Sequence, residues 1–391
     1  MSLLKMNKDR NRLVLHYVWK YLFLTGGWIY CQIVHLTRYQ SVIVTGIIEN
    51  VDIYPASHIH VLPRINHKQS VLVKLLNSLV HFLHLDQLYF LLLTMFHNPD
   101  VIHVHFGNSG WENLFLRKLL QKKYIVSFYG YDYSYLIKQE SIWKKRYKIL
   151  FQKADAFITE GPYARKTLIS LGCPEQKVFE NHLGVDLSRI DYFERKIPDR
   201  NEPIKLLQIA SLIEKKGHLF SVQAFAKALK QGHNLSLTFV GSGELRQLLE
   251  KIVCDLGIKE HISFIPTIPY KEVLDIAREH HIFIHPSVHA SDGNCEGGAP
   301  VVLLDMQASG MPIISTKHCD IPCYVLDGVS GFLVEEKNIE ALTEKIIYLA
   351  NHREIWPEMG RKGREHVQKE FNAIIQARRL EIIYDKVINT K

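Results

Sequence analysis

The sequence lacks an uninterrupted apolar run long enough to cross a bilayer. A transmembrane helix needs about 20 consecutive apolar residues. The most apolar stretch, residues 71–96, is interrupted by Lys74, His81, His84 and Asp86. The basic N-terminus is followed by His16 and Lys20 and by no small-residue cleavage site, so we interpret it as leading into a first strand rather than as a secretion signal. These absences predict a cytoplasmic protein.

Cysteine, glycine and proline are also sparse. Six scattered cysteines argue against a disulfide framework and against a zinc cage. With 22 glycines and 14 prolines in 391 residues, the chain is neither fibrous nor disordered by composition. It is 47% hydrophobic and 23% charged, as soluble globular proteins are, and its length predicts two or three domains.

Negative charge is in short supply in the first half of the chain. Residues 1–200 contain 26 Lys and Arg against 16 Asp and Glu, a balance of +10, whereas residues 201–391 contain 22 against 24, a balance of −2. A basic surplus suits nucleic acid, anionic lipid headgroups or a phosphorylated acceptor, although ordinary solubility is the alternative. Because no nucleic-acid motif accompanies the surplus, we do not expect nucleic-acid binding.

Short apolar runs alternate with amphipathic stretches, which is typical of parallel sheets with helical crossovers. The pattern predicts strands in the first half at residues 12–17, 41–45, 101–106, 124–128 and 156–159. It predicts strands in the second half at residues 204–209, 235–240, 262–265, 282–285, 312–315 and 331–334. Residues 195–203 are polar and contain two prolines, so they form the best linker. We expect two doubly wound α/β domains joined near residue 200.

Polar and aromatic side chains follow two predicted strands of the first half. Open α/β sheets bind ligands at the carboxyl ends of their strands. His103 and His105 lie two residues apart on one strand and share a face, with His105 beside the strand end. Tyr129 and Asp132 lie at a glycine turn after the next strand. These residues are candidates to face a ligand. The alternatives are satisfied core histidines and an acid that forms the turn.

The second half contains two glycine turns after strands. Residues 214–217 (Glu-Lys-Lys-Gly) lead into a helix, and ammonium groups with helix N-terminal amides attract phosphate. A surface lysine pair is the alternative. Residues 240–244 (Val-Gly-Ser-Gly-Glu) lack the third glycine of a dinucleotide fingerprint, which argues against NAD.

The most informative segment, residues 285–315, predicts a strand, a polar loop and a helix. The loop ends in Glu296-Gly-Gly, and Pro300 suits the first turn of the helix. Glycine amides there would point at a ligand, and Glu296 could accept hydrogen bonds from sugar hydroxyls. Asp305 lies nine residues after Glu296, where the alternative is an ordinary solvated acid.

Together, Glu296-Gly-Gly-Ala-Pro, Asp305 and Ala308-Ser-Gly-Met-Pro-Ile-Ile resemble the two-acid signature of family 4 glycosyltransferases with the GT-B fold, particularly the bacterial exopolysaccharide and colanic-acid type. Further matches follow the family's order at residues 103–106, 128–132, 184–186, 214–217 and 240–244. The resemblance covers nearly the whole chain. It implies two Rossmann-like domains facing a cleft, with the acceptor on residues 1–200 and the nucleotide-sugar on residues 201–371. The helix of about residues 372–391 would pack back on the first domain.

The resemblance also implies roles for individual residues. It assigns Glu296 to the donor sugar, Asp305 to the ribose and Lys216 to the diphosphate. Turn and loop residues would complete the substrate site: Gly27, Gly243, Glu244, Gly297, Gly298 and Ala299. From the first domain, His105, Tyr129 and Asp132 would face the reaction centre.

The implied reaction is a retaining transfer that uses no cofactor and no protein nucleophile, because the departing diphosphate can accept the acceptor's proton. The chain contains no Asp-X-Asp, so we expect metal to be dispensable. It departs from the family pattern at Ser211, where arginine is frequent, at Tyr129, where histidine is common, and at Asp305, where glutamate is usual. A nucleotide-sugar epimerase and a nucleotide-binding protein without turnover are the alternatives.

The acceptor is expected to be a glycan or a lipid-linked oligosaccharide. The basic first half suits an anionic bilayer, so we expect peripheral association with the inner face of the cell membrane. Leucines at helical spacing make residues 72–83 a candidate membrane-facing helix, with core packing as the alternative.

Overall fold

The computed structural model describes residues 12–22, 26–62, 85–199 and 201–390. Within these residues, seven parallel strands form the first sheet in the order β3-β2-β1-β4-β5-β6-β7. Its strands are β1 Arg12–Tyr21, β2 Tyr39–Ile48, β3 Ile59–Val61, β4 Val101–His105, β5 Lys123–Ser127, β6 Ala156–Thr159 and β7 Val178–Glu180. The helices between them are α1 Gly27–Val34, α2 Leu85–His97, α3 Gly107–Glu112, α4 Leu114–Leu120, α5 Tyr135–Gln139, α6 Ile142–Lys153 and α7 Pro162–Ser170.

A second parallel sheet follows, with six strands in the described residues and the order β10-β9-β8-β11-β12-β13. Its strands are β8 Ile204–Ile209, β9 Leu235–Val240, β10 Ile262–Ile265, β11 Ile282–His285, β12 Ile313–Thr316 and β13 Gly331–Val334. The helices of this half are α8 His218–Lys230, α9 Arg246–Asp255, α10 Tyr270–Arg278, α11 Val302–Ala308, α12 Ile321–Tyr324, α13 Ile339–Asn351, α14 Trp356–Glu370 and α15 Ala373–Asn389.

The strands form where the sequence has short apolar runs, because a parallel strand is covered by helices on both faces. The predicted bounds of β6, β8, β9, β10, β11 and β13 match the structure. The prediction missed β3 and β7, which are three residues each and too short to show a periodic pattern. The predicted helix at residues 72–83 lies outside the described residues.

The last helix, α15, returns to the first sheet. Tyr384 Oη lies 2.7 Å from His103 Nδ1 on β4, and Glu381 accepts hydrogen bonds from the backbone N–H groups of Thr37 and Arg38, both at 2.6 Å. Leu380 and Tyr384 join a buried apolar cluster with residues of β1, β4, β5 and β6. The chain therefore crosses between the two sheets near residue 200 and again before α15.

Each sheet reverses its strand order at one place, between β1 and β4 in the first sheet and between β8 and β11 in the second. Ligands of open α/β sheets bind in the crevice at this switch point. The carboxyl ends of both sheets face one cleft, so the fold builds one site from two crevices. Among the described residues, no helix combines the length and the apolar character needed to span a membrane.

Candidate functional site

The cleft between the sheets has a volume of about 510 Å³. Ile209, Gly241 and His285 line it from the ends of β8, β9 and β11. Tyr129 and Glu160 line it from the loops after β5 and β6. This volume is within the range of clefts that bind small molecules.

Glu296 and Lys216 form the charged centre of the cleft. Lys216 Nζ donates to Glu296 Oε2 at 2.7 Å, and Ser287 Oγ donates to Glu296 Oε1 at 2.8 Å. The Lys215 ammonium lies 3.9 Å from the same carboxylate, and His285 Nε2 lies 3.8 Å from it. The Glu296 side chain is 6% exposed and that of Lys216 17%, so this is a buried ion pair.

The electrostatics of the pair follow from its burial. Burial opposes ionisation of Glu296, but the ammonium groups of Lys216 and Lys215 outweigh it and hold the pKa of the carboxyl well below its usual range. Burial lowers the pKa of Lys216, and Glu296 opposes that shift. Glu296 is therefore ionised at neutral pH, and each group keeps bonding capacity for a ligand because an ammonium has three donors and a carboxylate two acceptor oxygens.

The glycines after Glu296 allow the two domains to touch. Gly297 has φ +82°, and a Cβ there would lie 2.1 Å from the Cα of Gly130 in the first domain. A Cβ on Gly298 would lie 1.7 Å from Glu160 Oε2. Neither glycine is in the lining of the cleft, whereas the next residue, Ala299, is. The Gly-Gly pair thus brings the loop of Glu296 against the first domain.

Asp305 lies on α11 in the wall of the cleft, beside Val301 and Val302. It is 7% exposed, so it is not the solvated acid of the alternative interpretation. Tyr270 Oη donates to Asp305 Oδ1 at 2.9 Å, and the Arg189 guanidinium lies over the Tyr270 ring, 5.5 Å from its centroid. Burial raises the pKa of Asp305 to about 7, against the opposing effects of Tyr270 and Arg189.

Tyr129 presents its ring rather than its hydroxyl to the cleft. Its Oη lies 2.6 Å from His105 Nδ1 and 3.2 Å from Gln32 Oε1, while Trp28 packs 4.5 Å from its ring centroid. His105 is completely buried, and its Nε2 lies 3.1 Å from His16 Nδ1. Burial lowers the pKa of His105 to about 3, so its ring is neutral. His105 therefore holds Tyr129 from behind the wall instead of facing the reaction centre as the resemblance implied.

Asp132 is also displaced from its expected position. It is completely buried, and its carboxylate accepts the backbone N–H groups of Gly107 at 2.7 Å and Tyr129 at 3.1 Å. Asp132 is absent from the lining of the cleft. It ties the loop after β4 to the loop after β5, which corrects its expected place at the reaction centre and agrees with its alternative as a turn-forming acid.

The turn after β9 differs from the expectation in detail. Gly243 and Glu244 are exposed and lie outside the lining of the cleft, which corrects their expected place beside the nucleotide. Gly241 lines the cleft instead, with φ +148° and room for no Cβ, since that atom would lie 2.0 Å from the carbonyl oxygen of Ala210. Gly27, at the start of α1, lines the cleft from the first domain.

The residues of the cleft that the sequence interpretation missed include three polar ones: Glu160, Arg189 and Tyr270. Glu160 directly follows β6, so the rule that ligands bind at strand ends could have found it. It is 5% exposed, and burial, together with Asp320 and Asp132, raises its pKa well above the usual range. No sequence pattern points to Arg189 or Tyr270, because they approach Asp305 from distant parts of the chain.

Comparisons with known proteins agree with this architecture. The model of "Glycosyltransferase Family 4" matches residues 51–189, and that of "Glycosyl transferases group 1" matches residues 190–366. The amylovoran biosynthesis glycosyltransferase AmsK of Erwinia amylovora is 30% identical over 293 residues, which are 74% of this chain and 70% of AmsK. The putative colanic acid biosynthesis glycosyltransferase WcaL of Salmonella typhimurium is 30% identical over 278 residues, 70% of this chain and 67% of WcaL.

The solved structures show the same fold. HepE of Anabaena in complex with UDP-glucose superposes with a TM-score of 0.73 at 12% identity, covering 96% of this chain and 99% of HepE. The protein is thus a glycosyltransferase with the GT-B fold. Within that class, it belongs to the family 4 glycosyltransferases, as the identity to AmsK over most of both chains shows.

Proposed function

We propose that this chain is a retaining glycosyltransferase of surface polysaccharide biosynthesis, which moves a sugar from a UDP- or GDP-linked donor to a glycan or lipid-linked acceptor. The observation that carries the proposal is the buried Lys216–Glu296 pair in a cleft that has Asp305 in its wall. The ammonium group suits the diphosphate, and the two carboxyl groups suit hydroxyls of the sugar and of the ribose. AmsK and WcaL are named for the biosynthesis of amylovoran and colanic acid, which supports a role in polysaccharide synthesis. The complex of HepE with UDP-glucose supports a nucleotide-sugar donor.

The charges of the cleft match the parts of the donor. Lys216 and Lys215 would hold the diphosphate, with the amide of Ala299 as a further donor. Glu296 would accept hydrogen bonds from the sugar hydroxyls, and Asp305 from the ribose. Lys216 can contact Glu296 and a phosphate oxygen together, so the pair aligns the sugar with its leaving group.

The transfer needs positioning and charge stabilisation more than a protein nucleophile. The bond from the sugar's anomeric carbon to the diphosphate oxygen breaks, and a bond to the acceptor oxygen forms on the same face. The acceptor's proton passes to the departing diphosphate, whose growing negative charge is stabilised by Lys216. The absence of Asp-X-Asp from the sequence supports a transfer that does not depend on metal.

The test is Glu296→Gln. This substitution preserves shape and the hydrogen bond from Ser287 but weakens the acceptor for sugar hydroxyls. Transfer from the nucleotide-sugar should fall at least tenfold, while calorimetric titration with UDP or GDP alone should give nearly unchanged affinity. An equal loss of nucleotide affinity would place Glu296 at the nucleotide and contradict the assignment.

Glu244→Gln is the matched control, because Glu244 is exposed and outside the cleft lining; it should leave transfer and nucleotide binding unchanged. The same assays separate the alternatives. An epimerase would release an altered sugar without any acceptor. A binding protein without turnover would retain UDP or GDP affinity and release no sugar in any condition.

The proposed acceptor side includes an anionic membrane. Helix α2 exposes an apolar stripe at helical spacing, in which Leu88 is 50% exposed, Leu92 54% and Phe96 83%. Helix α6 carries exposed lysines, including Lys144 and Lys148. Phe90 of α2 and Leu150 of α6 share one core cluster, so both helices cover the same face of the first sheet. An apolar stripe and a basic helix on one face of a domain suit binding to anionic lipid.

Cosedimentation with vesicles tests this face. Binding should increase with anionic lipid content and fall at high salt, because screening acts within about 10 Å at 0.1 M. Leu92→Ser with Phe96→Ser should weaken binding, as should Lys144→Glu with Lys148→Glu. Leu248→Ser, at a site of similar exposure in the second domain (45%), is the control. Binding that ignores lipid charge and salt, or none at all, would refute the electrostatic account.

A further inference from the structure

Two cysteines and a histidine meet beside the loop of Glu296. A ring nitrogen of His289 and the sulfurs of Cys295 and Cys319 all lie within 4.8 Å of one another. His289 and Cys295 belong to the loop after β11, and Cys319 belongs to the loop after β12. The positions of these residues in the sequence do not predict the cluster. It forms because β11 and β12 are neighbours in the sheet.

A carboxylate fixes the orientation of the histidine. Glu336 accepts from His289 Nδ1 at 2.9 Å and from His318 Nδ1 at 2.7 Å. Since a carboxylate only accepts hydrogen bonds, Nδ1 of each ring carries the proton in this contact, and Nε2 is the nitrogen left to bind a ligand. His318 uses its Nε2 to accept the N–H of Glu296 at 3.1 Å. For His289 Nε2, the contact in the described residues is a long one to Tyr163 Oη, at 3.3 Å.

This arrangement is the one that orients histidine ligands in metal sites, where the nitrogen away from the metal donates to a carboxylate. Two further features fit an ion-binding loop. Cys319 has φ +46°, a left-handed conformation that is uncommon for residues other than glycine. The His289 side chain is 44% exposed, so an ion can reach the cluster from solvent while Cys295 is buried.

We propose that His289 Nε2 and the sulfurs of Cys295 and Cys319 bind a zinc ion, with Glu336 as the carboxylate that orients His289. Thiolate and imidazole are the ligands that zinc prefers, and a fourth, solvent-facing position completes a tetrahedron. The ion takes no part in the transfer reaction. It would clamp the loop that carries Glu296 to the loop after β12. The proposal is independent of the substrate assigned to the cleft.

The test uses the full chain, purified under reducing conditions, treated with EDTA, dialysed and titrated with zinc sulfate. Mass spectrometry of bound metal should give one zinc per chain, and cobalt should give the absorption of a tetrahedral thiolate complex. Cys295→Ser and Cys319→Ser should lose both signals. Glu336→Gln should still bind zinc, but about 10–100-fold more weakly. Cys323→Ser is the matched control, four residues from Cys319 and outside the cluster, and should bind as the wild type does.

Thermal melting separates lost binding from lost folding. Zinc should raise the midpoint of the wild type and of Cys323→Ser. It should leave the midpoint of Cys319→Ser unchanged, although this variant still melts cooperatively. Substoichiometric zinc in the wild type would overturn the proposal, as would full zinc binding by Cys319→Ser. A disulfide between Cys295 and Cys319 in unreduced protein that takes up no zinc after reduction would also overturn it.

Discussion

The buried Lys216–Glu296 pair makes a quantitative prediction about stability. In Lys216→Met, the volume of the side chain is kept and its charge removed, so Glu296 stays buried with a weaker set of partners. Removing one partner of a buried ion pair costs about 3–5 kcal/mol. Glu296 keeps Lys215 at 3.9 Å and the hydrogen bond from Ser287, so we expect the lower end, about 3 kcal/mol.

Urea unfolding of Lys216→Met, Glu296→Gln and the double variant measures this cost. A thermal melt gives a second measure, because each kcal/mol of lost stability lowers the Tm of a domain of this size by about 2–4 °C. Lys216→Met alone should therefore lower the Tm by roughly 6–12 °C. The double variant should recover much of the loss, because replacing both partners removes the buried charge. Lys216→Met should also weaken nucleoside diphosphate binding by about 1–3 kcal/mol, the value of a charge-assisted hydrogen bond.

The pH dependence provides a further check. The pKa of Glu296 is lower in the folded chain than in the unfolded chain, where it is about 4.3. The ion pair therefore makes its full contribution to folding stability above about pH 4.3, and this contribution is lost as the pH falls through the pKa of the folded chain. The stability difference between wild type and Lys216→Met should therefore be largest near neutral pH and shrink below about pH 4. A variant as stable as the wild type, or a double variant whose losses simply add, would refute the reasoning.

Three further predictions concern other residues of the cleft and its walls. Because burial raises the pKa of Asp305 to about 7, wild-type affinity for UDP or GDP in calorimetry should rise between about pH 6 and pH 8. Asp305→Asn should abolish that rise, and a parallel rise in the variant would exclude Asp305 from the nucleotide site. Gly298→Ala should lower the Tm and the rate of transfer, since its Cβ would lie 1.7 Å from Glu160 Oε2. Adding Glu160→Ala should restore part of the Tm. An unchanged Tm in the single variant would contradict this contact. Asp132→Ala should destabilise the fold by about 1–3 kcal/mol in urea, because two buried amides lose their acceptor, yet leave nucleotide affinity intact; weaker binding by the folded variant would return Asp132 to the cleft.

The sequence was sufficient to predict most strands and the edge at which the site lies. Apolar runs such as that of β8 are long enough to show their period, whereas β3 and β7 are not. Glu296 and Lys216 were found because each lies after a strand and directly before a glycine, a local pattern that the fold turns into a cleft wall.

The direction in which a side chain points was harder to predict. His105 and Asp132 lie at the predicted edge, but the loop after β5 folds back so that Asp132 meets the Gly107 amide and His105 meets Tyr129. The strand-end rule selects an edge and says nothing about which side chains turn inward. Clusters formed by neighbouring strands, such as Cys295 with Cys319, depend on strand order and are invisible to spacing.

The return of α15 to the first sheet means that neither half of the chain is a self-contained folding unit. A fragment ending at residue 199 would include every strand of the first sheet but would leave Val14 and Ile125 without the helix that covers them, and His103 Nδ1 without Tyr384. The two covalent crossings also restrict how the cleft can open. Two bodies joined at two points move most freely by rotation about the line through both points. The order of the chain therefore favours opening of the cleft by rotation about that one line.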